Sequence, residues 1–190
     1  VFLAVAGNEK RAATGLTRQN WKSAVLIVLL FVGIYIVRTV VSMAGQGVSD
    51  GSGMQHVKEW AAMFKNPMMW LNIAALPINY FFVFIAFFGE EYGWRYYLQP
   101  VLQKRFGLRA GVIILGVVWG LWHIPDDLFY YTQTSGIQMI FAQQITCISL
   151  GIFFAYAYMK TQNIWVPVCL HYLNNNLIPI ISGTFSADVL

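Results

Sequence analysis

The sequence contains few charged residues and few cysteines. Only 11% of its 190 residues are Asp, Glu, Lys or Arg, whereas a soluble domain averages roughly 25%. With 58% hydrophobic residues and a mean hydropathy of +0.58, the chain has too little charge to cover a water-facing surface, and the same figures exclude a disordered chain. Cys147 and Cys169 both lie inside apolar runs, which excludes a disulfide framework and a multi-cysteine zinc module.

The apolar residues are grouped into runs long enough to cross a bilayer, for which a helix needs ~20 residues. Four segments meet this length and a fifth has polar interruptions; they are 23–43, 68–99, 108–124, 136–159 and 164–182. We interpret the apolar residues 1–7 as the end of a further, truncated helix. The sequence therefore predicts an all-α, polytopic transmembrane bundle of about five to six membrane helices, forming a single domain over 1–190.

The distribution of basic residues predicts an orientation. The net charge of +4 does not indicate nucleic-acid binding, because the cations lie in short segments between the apolar runs. Segments 8–22 and 95–109 are rich in Lys and Arg, whereas the expected loops 45–66 and 125–135 are not. By the positive-inside rule we expect the basic segments to face the cytoplasm.

A first cluster of ionisable residues directly follows the second apolar run. A charge near mid-membrane costs ~2.5–3.5 kcal/mol on insertion scales, so such residues are commonly paired and functional. Glu91 and Arg95 are four residues apart and face each other on a helix, whereas Glu90 has no such cation. We expect Glu91 to be neutralised and Glu90 to accept protons, the alternative being an interfacial salt bridge. Gly89 and Gly93 are spaced to admit a neighbouring helix.

A second cluster ends the third run. Trp119 and His123 are one helical turn apart, so we expect the indole to cover one side of the imidazole. Gly116 and Gly120 permit close helix packing, and Pro125 ends the helix. An aromatic belt at the membrane interface is the alternative interpretation.

A third cluster lies within the fifth run. His171 and Asn175 are four residues apart and could direct hydrogen-bond donors at a developing oxyanion. The alternative is polar contact between helices, which is our interpretation of Asn174 and Asn176. Together the three clusters supply a base and oxyanion donors, as in a hydrolase without a covalent nucleophile. The HExxH motif of zinc metalloproteases is absent.

In these clusters the sequence resembles the CAAX protease and bacteriocin-processing (CPBP) family, also called the abortive-infection family. That family has EExxxR, aromatic-xxx-His and HxxxN motifs on successive membrane helices. Here they are Glu90-Glu91-x-x-x-Arg95, Trp119-x-x-x-His123 and His171-x-x-x-Asn175, in the same order over 89–176.

The resemblance implies an intramembrane glutamate endopeptidase that needs no cofactor. It assigns water activation to Glu90 and His123, oxyanion stabilisation to His171 and Asn175, and supporting roles to Glu91 and Arg95; these assignments are implied by the family alone. The implied partners are the lipid bilayer and a membrane-associated peptide or protein substrate, with no nucleic acid. The short loops favour a prokaryotic cell membrane.

Three alternatives remain open from the residues. Glu90 and the two histidines could bind a catalytic zinc ion. The same residues could form the proton relay of a carrier, or the chain could be a scaffold that does not cleave peptides. For the peptidase, Glu90 must reach the depth of His123. We therefore predict that the second helix continues through Arg95 to Pro100, with the site in a cavity below the membrane surface.

Overall fold

The structure, a computed structural model, describes residues 15–16, 20–46, 48, 51–129 and 135–183. These ranges contain α-helices, one π-helical segment and no strand, so the predicted all-α class is confirmed. The helices are α1 (Trp21–Gln46), α2 (Gly53–Met63), α3 (Pro67–Glu91), α4 (Gln99–Phe106), α5 (Leu108–Trp122), α6 (Ile124–Phe129), α7 (Gly136–Thr161) and α8 (Trp165–Ser182); the π-helical segment is Tyr92–Leu98. The predicted truncated helix at 1–7 lies outside the described residues.

Four helical stretches in the described ranges are long and apolar enough to cross a membrane. They are Trp21–Gly45, Pro67–Phe106, Leu108–Phe129 and Gly136–Thr161, which match the first four predicted segments. The fifth forms helix α8 but is not among them, because its His and Asn residues lower its hydropathy. Large apolar side chains are exposed on the spans, for example Leu26 at 67% and Phe82 at 74%. These surfaces suit lipid and disfavour water, so the chain is an integral membrane protein.

The second span remains helical far beyond its apolar core. The helical path runs from Pro67 to Phe106, changing to π-helix at Tyr92 and back to α-helix at Gln99. This confirms the prediction that the helix continues through Arg95 to Pro100. Pro100 directly follows the π-helical segment, in the first turn of α4.

Two segments that we expected to be loops contain short helices. Helix α2 lies within 45–66, and α6 occupies the first part of 125–135 after beginning at Ile124, so both loop predictions are wrong in part. Helix α2 is too short and too polar to resemble a span. Helix α6 begins directly after His123, where α5 ends; Pro125 thus ends one helix and lies in the first turn of the next.

The described residues divide into two compact units. The first comprises Phe88–Val168 with the residues up to Ala24, and the second comprises Val25–Phe87 with the residues from Cys169 onward. The prediction of a single domain stays a prediction.

Glycines bring α5 and α7 together in the first unit. A Cβ on Gly116 would lie 2.7 Å from Ile148 Cα, and a Cβ on Gly120 would lie 2.5 Å from Gln144 Nε2. Gln144 Nε2 also donates to Gly116 O over 3.3 Å. The expectation that these two glycines permit close packing is therefore confirmed.

A glycine also closes the hairpin between α4 and α5. Gly107 has φ +84°, a left-handed conformation that favours glycine. A Cβ on Gly111, one turn into α5, would lie 2.6 Å from Gln103 N. The two helices therefore pack with their backbones in close approach.

Helix α8 is anchored within the second unit by aromatic side chains. Tyr172 Oη donates to Leu76 O of α3 over 2.7 Å, and Trp60 Nε1 of α2 donates to Ile181 O over 2.7 Å. The Tyr172 ring also packs edge-on against Tyr80, with centroids 4.9 Å apart. These contacts fix the rotation of α8 about its axis, and with it the directions of His171 and Asn175.

Candidate functional site

The predicted pair of Glu91 and Arg95 forms at the junction of α3 and the π-helical segment. Arg95 Nε donates to Glu91 Oε2 over 2.8 Å, and both side chains are 0% exposed. A buried charge without a partner is strongly destabilising, and here each charge neutralises the other. The spacing argument for this pair is therefore confirmed.

The Arg95 guanidinium also contacts α5 and α7. Its Nη1 donates to Gly151 O over 3.3 Å. Its Cζ lies 5.4 Å from the Trp119 ring centroid and 5.6 Å from that of Phe154, within reach of a cation–π interaction. Arg95 thus holds the π-helical segment against both helices.

The π-helical turn itself was not predicted. Its seven residues, Tyr92–Leu98, have no hydrophobic period that separates them from an α-helix. π-Helical turns are rare and often occur at functional sites. The turn is followed by Gln99, which is only 1% exposed. The interior therefore contains three polar side chains spaced four residues apart, those of Glu91, Arg95 and Gln99.

Glu90 differs from its neighbour. The side chain is half-buried, and within the described ranges its Oε2 has no hydrogen-bond partner. Gly89 and Gly93 border it, and a Cβ on either would have no described atom within 4 Å. The expectation that these glycines admit a neighbouring helix is therefore wrong for the described part of the chain. Both glycines are exposed, whereas Glu90 Oε2 is buried.

His123 lies at the end of α5 with a defined proton position. Its Nδ1 is 2.9 Å from Trp119 O. A carbonyl oxygen only accepts hydrogen bonds, so the neutral ring has its proton on Nδ1 and a lone pair on Nε2. The Trp119 and His123 rings are 5.9 Å apart at an angle of 64°, which confirms that the indole covers one side of the imidazole.

Cys147 of α7 lies beside His123. Its Sγ lies 3.8 Å from His123 Nδ1. Both residues belong to the first unit, as does Glu90. Sequence reasoning treated Cys147 only as a residue of an apolar run.

Asp127 was also missed, because it falls in a segment that we expected to be a loop. In α6 it is 0% exposed, and neither carboxylate oxygen has a hydrogen-bond partner among the described residues. It lies one helical turn after His123, and its backbone N donates to His123 O over 2.9 Å. The sequence signal was weak, since two aspartates after a proline are also typical of a surface turn.

His171 and Asn175 are one turn apart on α8, in the second unit. His171 is 4% exposed and packs edge-on against Phe87, with ring centroids 5.1 Å apart. Asn175 is exposed, and its Oδ1 accepts a hydrogen bond from Asn174 Nδ2 over 2.9 Å. That these two residues meet Glu90 and His123 stays a prediction.

A catalytic zinc centre needs three protein ligands close together. Within the ranges that the structure covers, no three His, Cys, Asp or Glu side chains are grouped closely enough to hold an ion. The expectation that no cofactor is needed remains a prediction.

Comparisons with known proteins relate the chain to one family. The family model described as type II CAAX prenyl endopeptidase Rce1-like matches residues 68–177, a range that contains all six predicted site residues. CAAX prenyl protease 2 from Methanococcus maripaludis is 29% identical over 121 residues, which are 57% of this chain and 43% of that protein. The chain thus spans less than half the length of this curated relative. No solved structure matches it significantly. Since the family model matches more than half of the chain, the protein belongs to the Rce1-like family of type II CAAX prenyl endopeptidases.

Proposed function

We propose that the protein is an intramembrane endopeptidase that hydrolyses peptide bonds of membrane-associated proteins or peptides. The family match supports membrane endopeptidase activity in general. The name of the relative supports a prenylated C-terminal CAAX sequence as substrate, in which a lipid-modified cysteine precedes two aliphatic residues and a variable one.

In the proposed mechanism, Glu90 and His123 activate a water molecule. Glu90 accepts a proton from the water, which His123 Nε2 helps to orient, and the oxygen attacks the scissile carbonyl carbon. His171 and Asn175 donate hydrogen bonds to the resulting oxyanion. When the tetrahedral intermediate collapses, the C–N bond breaks and the proton held by Glu90 passes to the leaving amine.

The difference between the two adjacent carboxylates carries this proposal. Glu91 accepts a hydrogen bond from Arg95 in the interior, so its carboxylate is already paired with a cation. Glu90 Oε2 is buried and has no hydrogen-bond partner among the described residues. Of the two, Glu90 is thus the residue able to accept a proton from water.

We also propose that the reaction needs no metal ion and that the enzyme lies in a prokaryotic cell membrane with its basic segments on the cytoplasmic side. The charge distribution supports this orientation. We expect the protein to retain cleavage after chelator treatment, when it holds less than one metal ion per molecule. Loss of cleavage that zinc alone restores would establish the zinc-dependent alternative.

The test is cleavage of a farnesylated CAAX peptide, with a fluorophore and a quencher flanking the scissile bond, by the chain in liposomes. Glu90→Gln should lower the rate by about 10²–10⁴-fold, the usual contribution of a general base, and leave expression unchanged. Glu59→Gln is the matched control, because Glu59 is exposed and bonds only to nearby Gln55 among the described residues. Cleavage by Glu90→Gln at the wild-type rate would contradict the mechanism. Proton flux without cleavage by the wild type would instead favour a carrier.

A further inference from the structure

A chain of hydrogen bonds in the second unit ends at Asn175. Tyr35 Oη of α1 lies 2.6 Å from Asn174 Oδ1, and Asn174 Nδ2 lies 2.9 Å from Asn175 Oδ1. The two contacts connect α1 to an exposed amide on α8, across 139 residues of sequence. The sequence had suggested only a general helix-contact role for Asn174.

The Tyr35 hydroxyl group is the donor in the first of these hydrogen bonds, because an amide oxygen only accepts. Its hydrogen is therefore directed to Asn174 Oδ1. The Arg38 guanidinium lies 5.5 Å from the centroid of the Tyr35 ring.

The direction of this hydrogen bond determines how the side-chain amides of Asn174 and Asn175 are oriented. With its oxygen occupied, Asn174 presents its NH₂ group to Asn175, and Asn175 must accept through Oδ1. Both N–H bonds of Asn175 Nδ2 then point away from Asn174. No described residue accepts a hydrogen bond from them, and the side chain is exposed.

We propose that Tyr35 and Asn174 are positioning residues that hold the Asn175 amide with its N–H donors directed at the substrate oxyanion. The role of Asn175 in this inference rests on the proposed function. A carboxamide on the surface can rotate and exchange its oxygen and nitrogen positions, and a donor stabilises an oxyanion best when its orientation is fixed before the reaction. The Tyr35 ring is itself held edge-on by Phe31, with centroids 4.9 Å apart.

A first experiment observes the hydrogen bonds without using activity. In protein labelled with ¹⁵N at asparagine, in lipid nanodiscs, Tyr35→Phe removes the hydroxyl group and keeps the ring. We expect the side-chain amide signals of Asn174 and Asn175 to shift. Asn176 is the internal control, because its Nδ2 donates to Tyr172 O over 3.0 Å. Unchanged Asn175 signals would overturn the inference, whether or not the protein cleaves peptides.

A second experiment measures cleavage of the farnesylated peptide. Asn174→Leu should lower kcat nearly as much as Asn175→Ala, about 10²–10³-fold for the loss of one oxyanion donor, with little change in KM. Tyr35→Phe should fall between the wild type and Asn175→Ala. Asn176→Ala should retain the wild-type kcat. A rise in KM with unchanged kcat would indicate a structural or binding role and overturn the inference.

A double variant tests whether Tyr35 acts through Asn175. In the Asn175→Ala background, Tyr35→Phe should lower kcat no further, because residues that act as one unit are not additive. Independent, multiplicative losses would overturn the inference. If Glu90→Gln abolishes cleavage while Tyr35→Phe behaves as the wild type, the inference fails and the proposed function stands. If Tyr35→Phe shifts the Asn175 signals while Glu90→Gln cleaves normally, the hydrogen-bond chain stands and the proposed mechanism fails.

Discussion

Glu90 and Glu91 show how two adjacent, identical side chains acquire different chemistry. They point about 100° apart on the helix, so one meets Arg95 in the interior while the other lies beside two exposed glycines. The ion pair holds the helix in place, and the second carboxylate remains available. The chemical difference between the two residues lies wholly in what surrounds them.

At the residue scale, breaking the ion pair should impair folding. Glu91→Gln or Arg95→Ala leaves one buried charge without its partner, which costs about 3–5 kcal/mol. The expected result is a lower yield and a lower unfolding temperature of the detergent-solubilised protein, measured by fluorescence-detected size exclusion.

The double variant Glu91→Gln/Arg95→Gln should lose less than the sum of the two single effects, because it leaves no lone charge. Glu90→Gln, which breaks no described ion pair, serves as the control. An Arg95→Ala variant that unfolds at the wild-type temperature would show that the pair does not stabilise the protein.

At the scale of elements, close helix packing depends on which face of a helix the glycines occupy. Gly116 and Gly151 face each other across α5 and α7, where a Cβ added to Gly151 would lie 3.3 Å from Gly116 Cα. Gly89 and Gly93 have the same four-residue spacing but are exposed. Spacing alone therefore does not show where helices meet.

Gly116, which lies in the interface between α5 and α7, and Gly89, which is exposed, give two alanine variants that can be compared directly. Gly116→Ala places a methyl group against the backbone of Ile148 and should destabilise the protein by about 1–3 kcal/mol, as overpacking does. Gly89→Ala meets no described atom and should be neutral or slightly stabilising, since alanine favours helix over glycine by about 1 kcal/mol. Thermal unfolding of both variants is the measurement, and an equal effect of the two substitutions would contradict this account of the interface.

At the scale of the whole molecule, the proposed function requires Glu90 and His171, which are distant in sequence, to act on the same substrate. We predict that cysteines replacing Glu90 and His171, in a background with Cys147→Ser and Cys169→Ser, are joined by a short bis-methanethiosulfonate reagent. Mass spectrometry of the digested protein would detect the linked peptides, with each single-cysteine variant as control. Failure to link the pair, with both thiols shown to be reactive, would contradict a shared site.

The sequence by itself determined the helical class, the four apolar spans and the Glu91–Arg95 and Trp119–His123 pairs. These follow from hydropathy and from contacts within one or two helical turns, which local spacing specifies. The three motifs also sufficed to identify the family.

Only the tertiary structure decided the remaining features. The burial of Asp127, the position of Cys147 beside His123 and the hydrogen bond from Tyr35 to Asn174 all join side chains to elements distant in sequence. Helical periodicity contains no information about which neighbour a face meets. The π-helical turn likewise occurs where Arg95 is held between Trp119 and Phe154, an arrangement that exists only when three separate helical segments pack together.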